Sequence, residues 1–181
     1  TGEMTYRTNN GNGDKVSILG YGCMRWPMIK DENGKEIVDQ ETVNRLVDYA
    51  IEHGVNYFDS SPVYLQGQSE QATGIALSRY PRESYFVATK LSNFSNWTKE
   101  NSIEMYRMSL KNFQTDYIDY YLLHSMGDLN TFRTRFVDNG MMDFLMEERK
   151  AGRIRNLGFS FHGTAEGFDE LMAQHEKYHW D

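Results

Sequence analysis

From Asp39 onward the chain alternates stretches whose apolar residues fall at helical spacing with short, nearly continuous apolar runs, at a repeat of roughly 30 residues. The run Tyr117-Ile118-Asp119-Tyr120-Tyr121-Leu122-Leu123 shows what this demands. It leaves no polar face for solvent, so the strand must be covered on both sides, as in a parallel sheet joined by helical crossovers. Such crossovers are right-handed.

The pattern predicts helix 40–52, with Val43, Leu46, Val47, Ala50 and Ile51 as its buried stripe and Gly54 as a C-cap, then strand 55–59. Helix 69–79, strand 85–90, helix 98–113 and strand 117–124 follow. A crossover helix at 138–150 ends at Ala151-Gly152 and feeds strand 154–160, after which comes helix 165–174. Before the repeat, Val16 to Gly22 reads as a first strand ending in glycines, and Thr5 to Arg7 pairs with Lys15 to Ser17 as a small hairpin across the Asn9 to Gly13 turn. Lys30 to Glu36 reads as a surface loop with Gly34 at its turn, and it has too few oxygen ligands for a calcium loop.

Five βα units fit two architectures. A closed (β/α)8 TIM-type barrel takes eight units and about 250 residues, whereas a doubly wound sheet can stop at five. The second usually binds its cofactor at a glycine-rich first crossover, but Gly20-Tyr21-Gly22-Cys23-Met24-Arg25 is not Gly-x-Gly-x-x-Gly and no helix opens there. A length of 181 residues is read as a single domain, and a net charge of −7 argues against nonspecific nucleic-acid or anionic-membrane binding. Cys23 is the only cysteine, which excludes an internal disulfide framework or a multi-thiolate metal cluster and points to a reducing cytoplasm. No apolar stretch of about 18 residues occurs, and the start lacks a signal-peptide pattern. Met4 is the expected native start, with the residues before it a cloning remnant.

Four polar residues close or follow apolar runs: Asp59, Tyr64, Lys90 and His124. A barrel collects such strand-end residues on one face. A carboxylate, a phenol, an ammonium and an imidazole together suit carbonyl reduction, because hydride delivery to carbon leaves negative charge on oxygen that an acid must quench. Tyr64 is the candidate acid. A free tyrosine has a pKa of about 10, and the Lys90 cation would stabilise its phenolate. Asp59 would neutralise and orient Lys90, and His124 as a neutral imidazole would donate a hydrogen bond to the carbonyl oxygen. Taken singly, each has a plainer reading: Asp59 as a turn residue before Pro62, Lys90 as a solvated strand end, His124 as a structural histidine, Tyr64 as packing. Two rival functions also stay open, a Schiff-base aldolase working through Lys90 and a barrel that binds cofactor without turnover.

These blocks resemble the aldo-keto reductases. Gly54-Val55-Asn56-Tyr57-Phe58-Asp59-Ser60-Ser61-Pro62-Val63-Tyr64 is similar to that family's strand-two signature. Lys90 after Val87-Ala88-Thr89, and His124 after Asp116 to Leu123, are similar to its lysine and histidine blocks, and Gly152 to Gly158 resembles the lead-in to its fifth strand. The resemblance implies a (β/α)8 barrel reducing small aldehydes or ketones with NADPH. It implies that Gly22, Cys23 and Met24 approach the nicotinamide half of the cofactor, that Asp59 lies near its ribose, and that Ser160 is the serine of a Ser-Asn pair holding the carboxamide. Phe161 stands where that asparagine is expected. The Gly158-Phe159-Ser160-Phe161-His162 string resembles a bacterial branch that often carries a C-terminal ferredoxin-like segment, whose cysteines do not occur here. Family members continue through three more strands that supply the 2′-phosphate clamp. The 181 residues are therefore expected to be the N-terminal part of a longer reductase, inactive alone and prone to self-association through an open edge.

Arg25 and Trp26, just past the first strand, are the substrate-pocket candidates. Arg133 and Arg135 read as a solvated polar loop, Met105, Met108, Met141, Met142 and Met146 as helix-core filler, and His175 with His179 as a solvated helix end lacking a third metal ligand.

Overall fold

Helix α1 shows how local chemistry sets the element boundaries. Asp39 accepts from the Thr42 amide at 3.1 Å and from the Thr42 hydroxyl at 2.7 Å, so the first turn of Gln40–Glu52 starts with its donors satisfied. His53 is the C-cap, and Gly54 follows at φ 90°. A Cβ at Gly54 would stand 2.7 Å from both Met4 Cβ and Tyr6 Oη, so the glycine is required by close approach as well as by backbone angle.

The computed structural model describes residues 3–181, so the first two residues of the expected remnant Thr1 to Glu3 lie outside the described residues. In chain order the strands are β1 (Tyr6–Thr8), β2 (Lys15–Ser17), β3 (Tyr21–Gly22), β4 (Met28–Lys30), β5 (Glu36–Val38), β6 (Tyr57–Asp59), β7 (Phe86–Leu91), β8 (Ile118–Met126) and β9 (Ile154–Phe161). After α1 the helices are α2 (Ser69–Leu77), α3 (Lys99–Asn112), α4 (Leu129–Phe132), α5 (Met141–Lys150), α6 (Ala165–Ala173) and α7 (His175–Tyr178). Five strands form one sheet in the order β3, β6, β7, β8, β9, with β3·β6, β6·β7 and β8·β9 parallel. No described helix is long and apolar enough to cross a membrane.

The chain divides into two compact units. The first runs to Ala88 and includes Lys111–Thr115. Its core gathers Cys23, Val43, Val47, Phe58, Leu77, Val87 and Phe113, the inward faces of α1, α2 and the first strands. The β1·β2 hairpin forms as expected, and Asn56 ties it to the base of β6 by accepting from the Ser17 amide at 2.8 Å and donating to the Lys15 carbonyl at 2.9 Å.

Two expectations for this unit need correction. The Val16 to Gly22 run is not one strand. Ser17 donates its hydroxyl to the Leu19 carbonyl and Ile18 gives its amide to Thr5, so the backbone turns away, leaving Ile18 and Leu19 exposed between β2 and β3. Lys30 to Glu36 is likewise more than a loop. Its ends pair in the antiparallel β4·β5 hairpin, folded over a turn in which Asp31 accepts from the amides of Asn33 and Lys35.

The second unit comprises Thr89–Leu110 and Asp116–Asp181. Tyr106, Tyr121, Leu123, Met126, Phe132, Phe136, Met141, Met142, Leu145, Ile154 and Leu157 are buried together. Met105 and Met146 pack at its margin, whereas Met108 is exposed. Among the polar groups buried here is Glu148: Tyr106 donates to it at 2.8 Å, and Arg153 grips the same carboxylate through two bonds of 2.6 and 2.7 Å. Both partners hold the Glu148 carboxyl below its usual range, the arginine most strongly.

The first unit contains one contact with no slack. A Cβ at Gly74 in α2 would lie 2.0 Å from the Asn112 carbonyl oxygen and 2.8 Å from Phe113 Cα, both main-chain atoms. Gly74→Ala is expected to destabilise by about 1–3 kcal/mol through overpacking, despite alanine's better helix propensity. A urea midpoint equal to or above that of the unsubstituted chain would show that α2 can shift freely.

Candidate active site

In the first unit, β6 ends at Asp59, which stands opposite Gly22 in the β3·β6 register, and the Ser60 amide continues the ladder to the Ala88 carbonyl. Asp59 and Tyr64 are both half-buried. A chain of hydroxyls supports this end of the strands: Ser69 donates to the Cys23 carbonyl at 2.6 Å, and its oxygen meets the Ser60 hydroxyl at 2.8 Å. Ser69 has one proton and spends it on the carbonyl, so Ser60 is the donor between them.

Tyr64 opens a short turn in which Leu65 (φ 52°) and Gln66 (φ 55°) are both left-handed. Consecutive non-glycine residues in that region are uncommon and strained. Of the cofactor candidates here, Cys23 is fully buried, whereas Gly22 and Met24 are exposed, with open space where a Gly22 Cβ would point. Of the substrate-pocket candidates, Arg25 is exposed, but Trp26 is buried in the core, stacked on Tyr21 at 4.9 Å with its indole N–H donated to Thr73 at 3.0 Å.

The second unit assembles its candidates around a fault in the sheet. Leu123 pairs with Phe159 and Met126 with Phe161, so β8 takes three steps where β9 takes two. His124 and Ser125 therefore oppose Ser160 alone in a β-bulge, and Ser125 sits at φ 59°. A bulge breaks the regular ladder, and its backbone groups must find other partners. Here the Ser125 amide donates to Ser160 Oγ at 2.7 Å, and the His124 carbonyl accepts from Arg135 Nη1 at 2.8 Å.

The imidazole itself is oriented by Ser92, whose Oγ lies 2.6 Å from His124 Nδ1 and 3.5 Å from the Lys90 carbonyl. The hydroxyl has one proton; given to the nearer Nδ1, it places the ring proton on Nε2. Phe94 tilts against the ring at 5.0 Å. Burial first, then the charges of Lys90, Arg135 and His162, push the His124 pKa down to about 4, so the ring is neutral near pH 7. Lys90 is buried at the end of β7.

Arg135 corrects a sequence expectation. The segment after β8 is not a solvated loop: Asp128 caps α4 by accepting from the Thr131 amide at 2.7 Å, and the chain continues into a wide π-type turn at Arg133–Val137. Arg133 is exposed, while Arg135 is turned inward and buried. The missed signal was Leu129, Phe132, Phe136 and Val137, an apolar stripe at helical spacing. Nothing in the sequence marks Ser92 or Asn93 beyond their position after Lys90.

The arrangement is that of an α/β protein with the candidate residues near the ends of parallel strands. The Aldo/keto reductase family model matches residues 19–181, and the chain belongs to that family. Aldo-keto reductase YhdN of Bacillus subtilis (strain 168) is 30% identical over 165 residues, 87% of this chain and 47% of its own length. The holo form of aldo-keto reductase AKR11C1 from Bacillus halodurans is 29% identical and superposes with a TM-score of 0.69 over 88% of this chain and 51% of that one. An aldo-keto reductase from Klebsiella pneumoniae in complex with NADPH, 23% identical, shares the fold at a TM-score of 0.71 over 94% of this chain and 54% of its own. The chain spans about half the length of the curated relatives it matches. Its five strands belong to the TIM-barrel type, and the doubly wound alternative falls away.

The His124 environment has a consequence for stability. The folded ring titrates at about 4 and an unfolded histidine at about 6.5, so the unfolded chain binds the extra proton between those values. The contribution is fully present above about 6.5 and is lost as pH falls toward about 4. His124→Gln is expected to flatten the pH dependence of the urea midpoint across that window. An unchanged slope would mean that His124 titrates normally.

Proposed function

We propose that this protein is an oxidoreductase that reduces a small aldehyde or ketone to an alcohol, with Tyr64 as general acid. Family membership supports the reaction class. The structural observation that carries the reading is His124, whose Nδ1 lies 2.6 Å from Ser92 Oγ near the end of β8 and whose burial keeps it neutral; we assign the ring proton to Nε2, the form that donates to a substrate oxygen. An imidazolium there would compete with the acid for the substrate oxygen, whereas a neutral donor orients the carbonyl and strengthens its bond as charge builds on oxygen.

The cofactor in this reading is a nicotinamide dinucleotide, NADPH by family precedent. The Klebsiella pneumoniae protein is a structural parallel that carries it. The residues present fit part of such a group. Ser160 accepts from Ser125 and keeps its own proton to donate to a carboxamide oxygen, and Gly22 offers main chain with no side chain in the way. Cys23 contributes only main chain, because its side chain is buried. When bound, the cofactor supplies the hydride.

In the proposed sequence, Tyr64 gives its proton to the carbonyl oxygen as the carbon accepts the hydride, and the resulting phenolate is reprotonated from solvent. Lys90 stabilises that phenolate, and Asp59 balances Lys90. His124 Nε2 holds the oxygen in line throughout.

Tyr64→Phe removes one hydroxyl and little volume. In the full chain of this protein it is expected to lower carbonyl-dependent NADPH oxidation by about 100-fold or more while cofactor binding, read by fluorescence, persists. An undiminished rate would sink Tyr64 as the acid, and a borohydride-trapped adduct on Lys90 would point to Schiff-base chemistry instead.

A further inference from the structure

The buried guanidinium behind His124 has an unusual set of partners. Arg135 donates from Nε and Nη2 to Asn93 Oδ1 at 3.2 and 3.0 Å, and from Nη1 to the His124 carbonyl at 2.8 Å. Asn93 returns the contact, giving one amide hydrogen to the Arg135 carbonyl and the other to Ser102 Oγ, each at 3.0 Å. Every hydrogen-bonding position of that amide is thus in use. Phe94 and Phe136 lie 4.9 and 4.7 Å from the guanidinium carbon. Asn93 and Arg135 are 1% and 6% exposed, so this clasp is dry.

Each of those acceptors is neutral. Burying a cation without an anion is costly, and a carboxylate at position 93 would form the stronger, charge-assisted fork. Burial does lower the Arg135 pKa to about 10, which still leaves it charged near neutrality. Asparagine accepts from the guanidinium and donates to the Arg135 carbonyl at once, which an acceptor-only carboxylate does not, and it leaves the positive charge of Arg135 unneutralised.

We propose that Arg135, clasped by Asn93, is a positioning residue for His124: it holds the carbonyl of the bulge and sets its unneutralised guanidinium charge behind the imidazole. The inference rests on the reading of His124 as the group that orients the carbonyl. Among the groups that act on the imidazole are Lys90 on β7, Arg135 on the turn after α4, and His162 after β9, with the Ser92 hydroxyl on Nδ1.

The test is an NMR titration of the full chain with 15N-labelled histidine, comparing the unsubstituted protein with Asn93→Asp and Arg135→Lys. Asn93→Asp sets an anion against the guanidinium in nearly the same volume, at the loss of the bonds to the Arg135 carbonyl and Ser102, and is expected to raise the His124 midpoint by about half a unit to one unit. Arg135→Lys keeps the charge and loses the fork, so it should leave the midpoint near its original value while kcat for carbonyl reduction falls about tenfold with KM little changed. A His124 titration identical in folded Asn93→Asp and the unsubstituted protein would overturn the proposal. Should Asn93→Asp fail to fold, the unsubstituted protein still decides: at about pH 6, near the ordinary imidazole value, the 15N shifts must report a neutral ring protonated on Nε2, and a charged ring or the Nδ1–H tautomer refutes the assignment. Because the titration needs no turnover, a failure of Tyr64 as acid would leave this result separately readable.

Discussion

A backbone amide removed from water must be paired, and that obligation organises the second unit. Where β8 carries one residue more than β9 can match, two main-chain groups come out of step with their neighbours, and the protein answers each with a dedicated side chain. Ser160 takes the Ser125 amide, and Arg135 serves the His124 carbonyl. Both are candidates for functional roles, so here the repair of the sheet and the construction of a site are one act.

The same unit handles two arginines in opposite ways. Arg153, half-exposed, is tied bidentately to the Glu148 carboxylate and also secures the buried Tyr106 hydroxyl through that acid. Its charge is fully answered, and it serves stability. Arg135, buried, receives only an amide oxygen and a main-chain carbonyl. A fold capable of placing Glu148 so well has no general difficulty in supplying carboxylates, which makes the neutral surroundings of Arg135 informative.

Much of the architecture was legible because its signals are local. The span of α1 is the one expected, although its C-cap is His53 with Gly54 one residue beyond, and the apolar runs leading to Asp59, Lys90 and His124 become β6, β7 and β8 with small shifts at their ends. What escaped depends on contacts distant in sequence. The Val16 to Gly22 run breaks at Ser17, whose hydroxyl goes to the Leu19 carbonyl and whose amide is held by Asn56, 39 residues away. The pairing of β4 with β5 rests on backbone bonds that no alternation in so short a segment announces. The bulge is invisible because it is a mismatch between two strands, a property of neither sequence alone. Arg135 looked solvated since charged residues usually are, and only the aromatic stripe beside it argued otherwise.

Tyr64 is followed by two residues held in a backbone conformation that neither prefers, at a cost on the order of 1–2 kcal/mol each. An isolated segment of this sequence would relax out of that shape, so the turn persists only because packed neighbours around it enforce it. This bears on the order of folding. The β6 strand and the caps of α1 can form from nearby residues, but the phenol reaches its place only once the remainder of its unit is assembled. A partly folded chain would therefore have much of its scaffold and no positioned Tyr64.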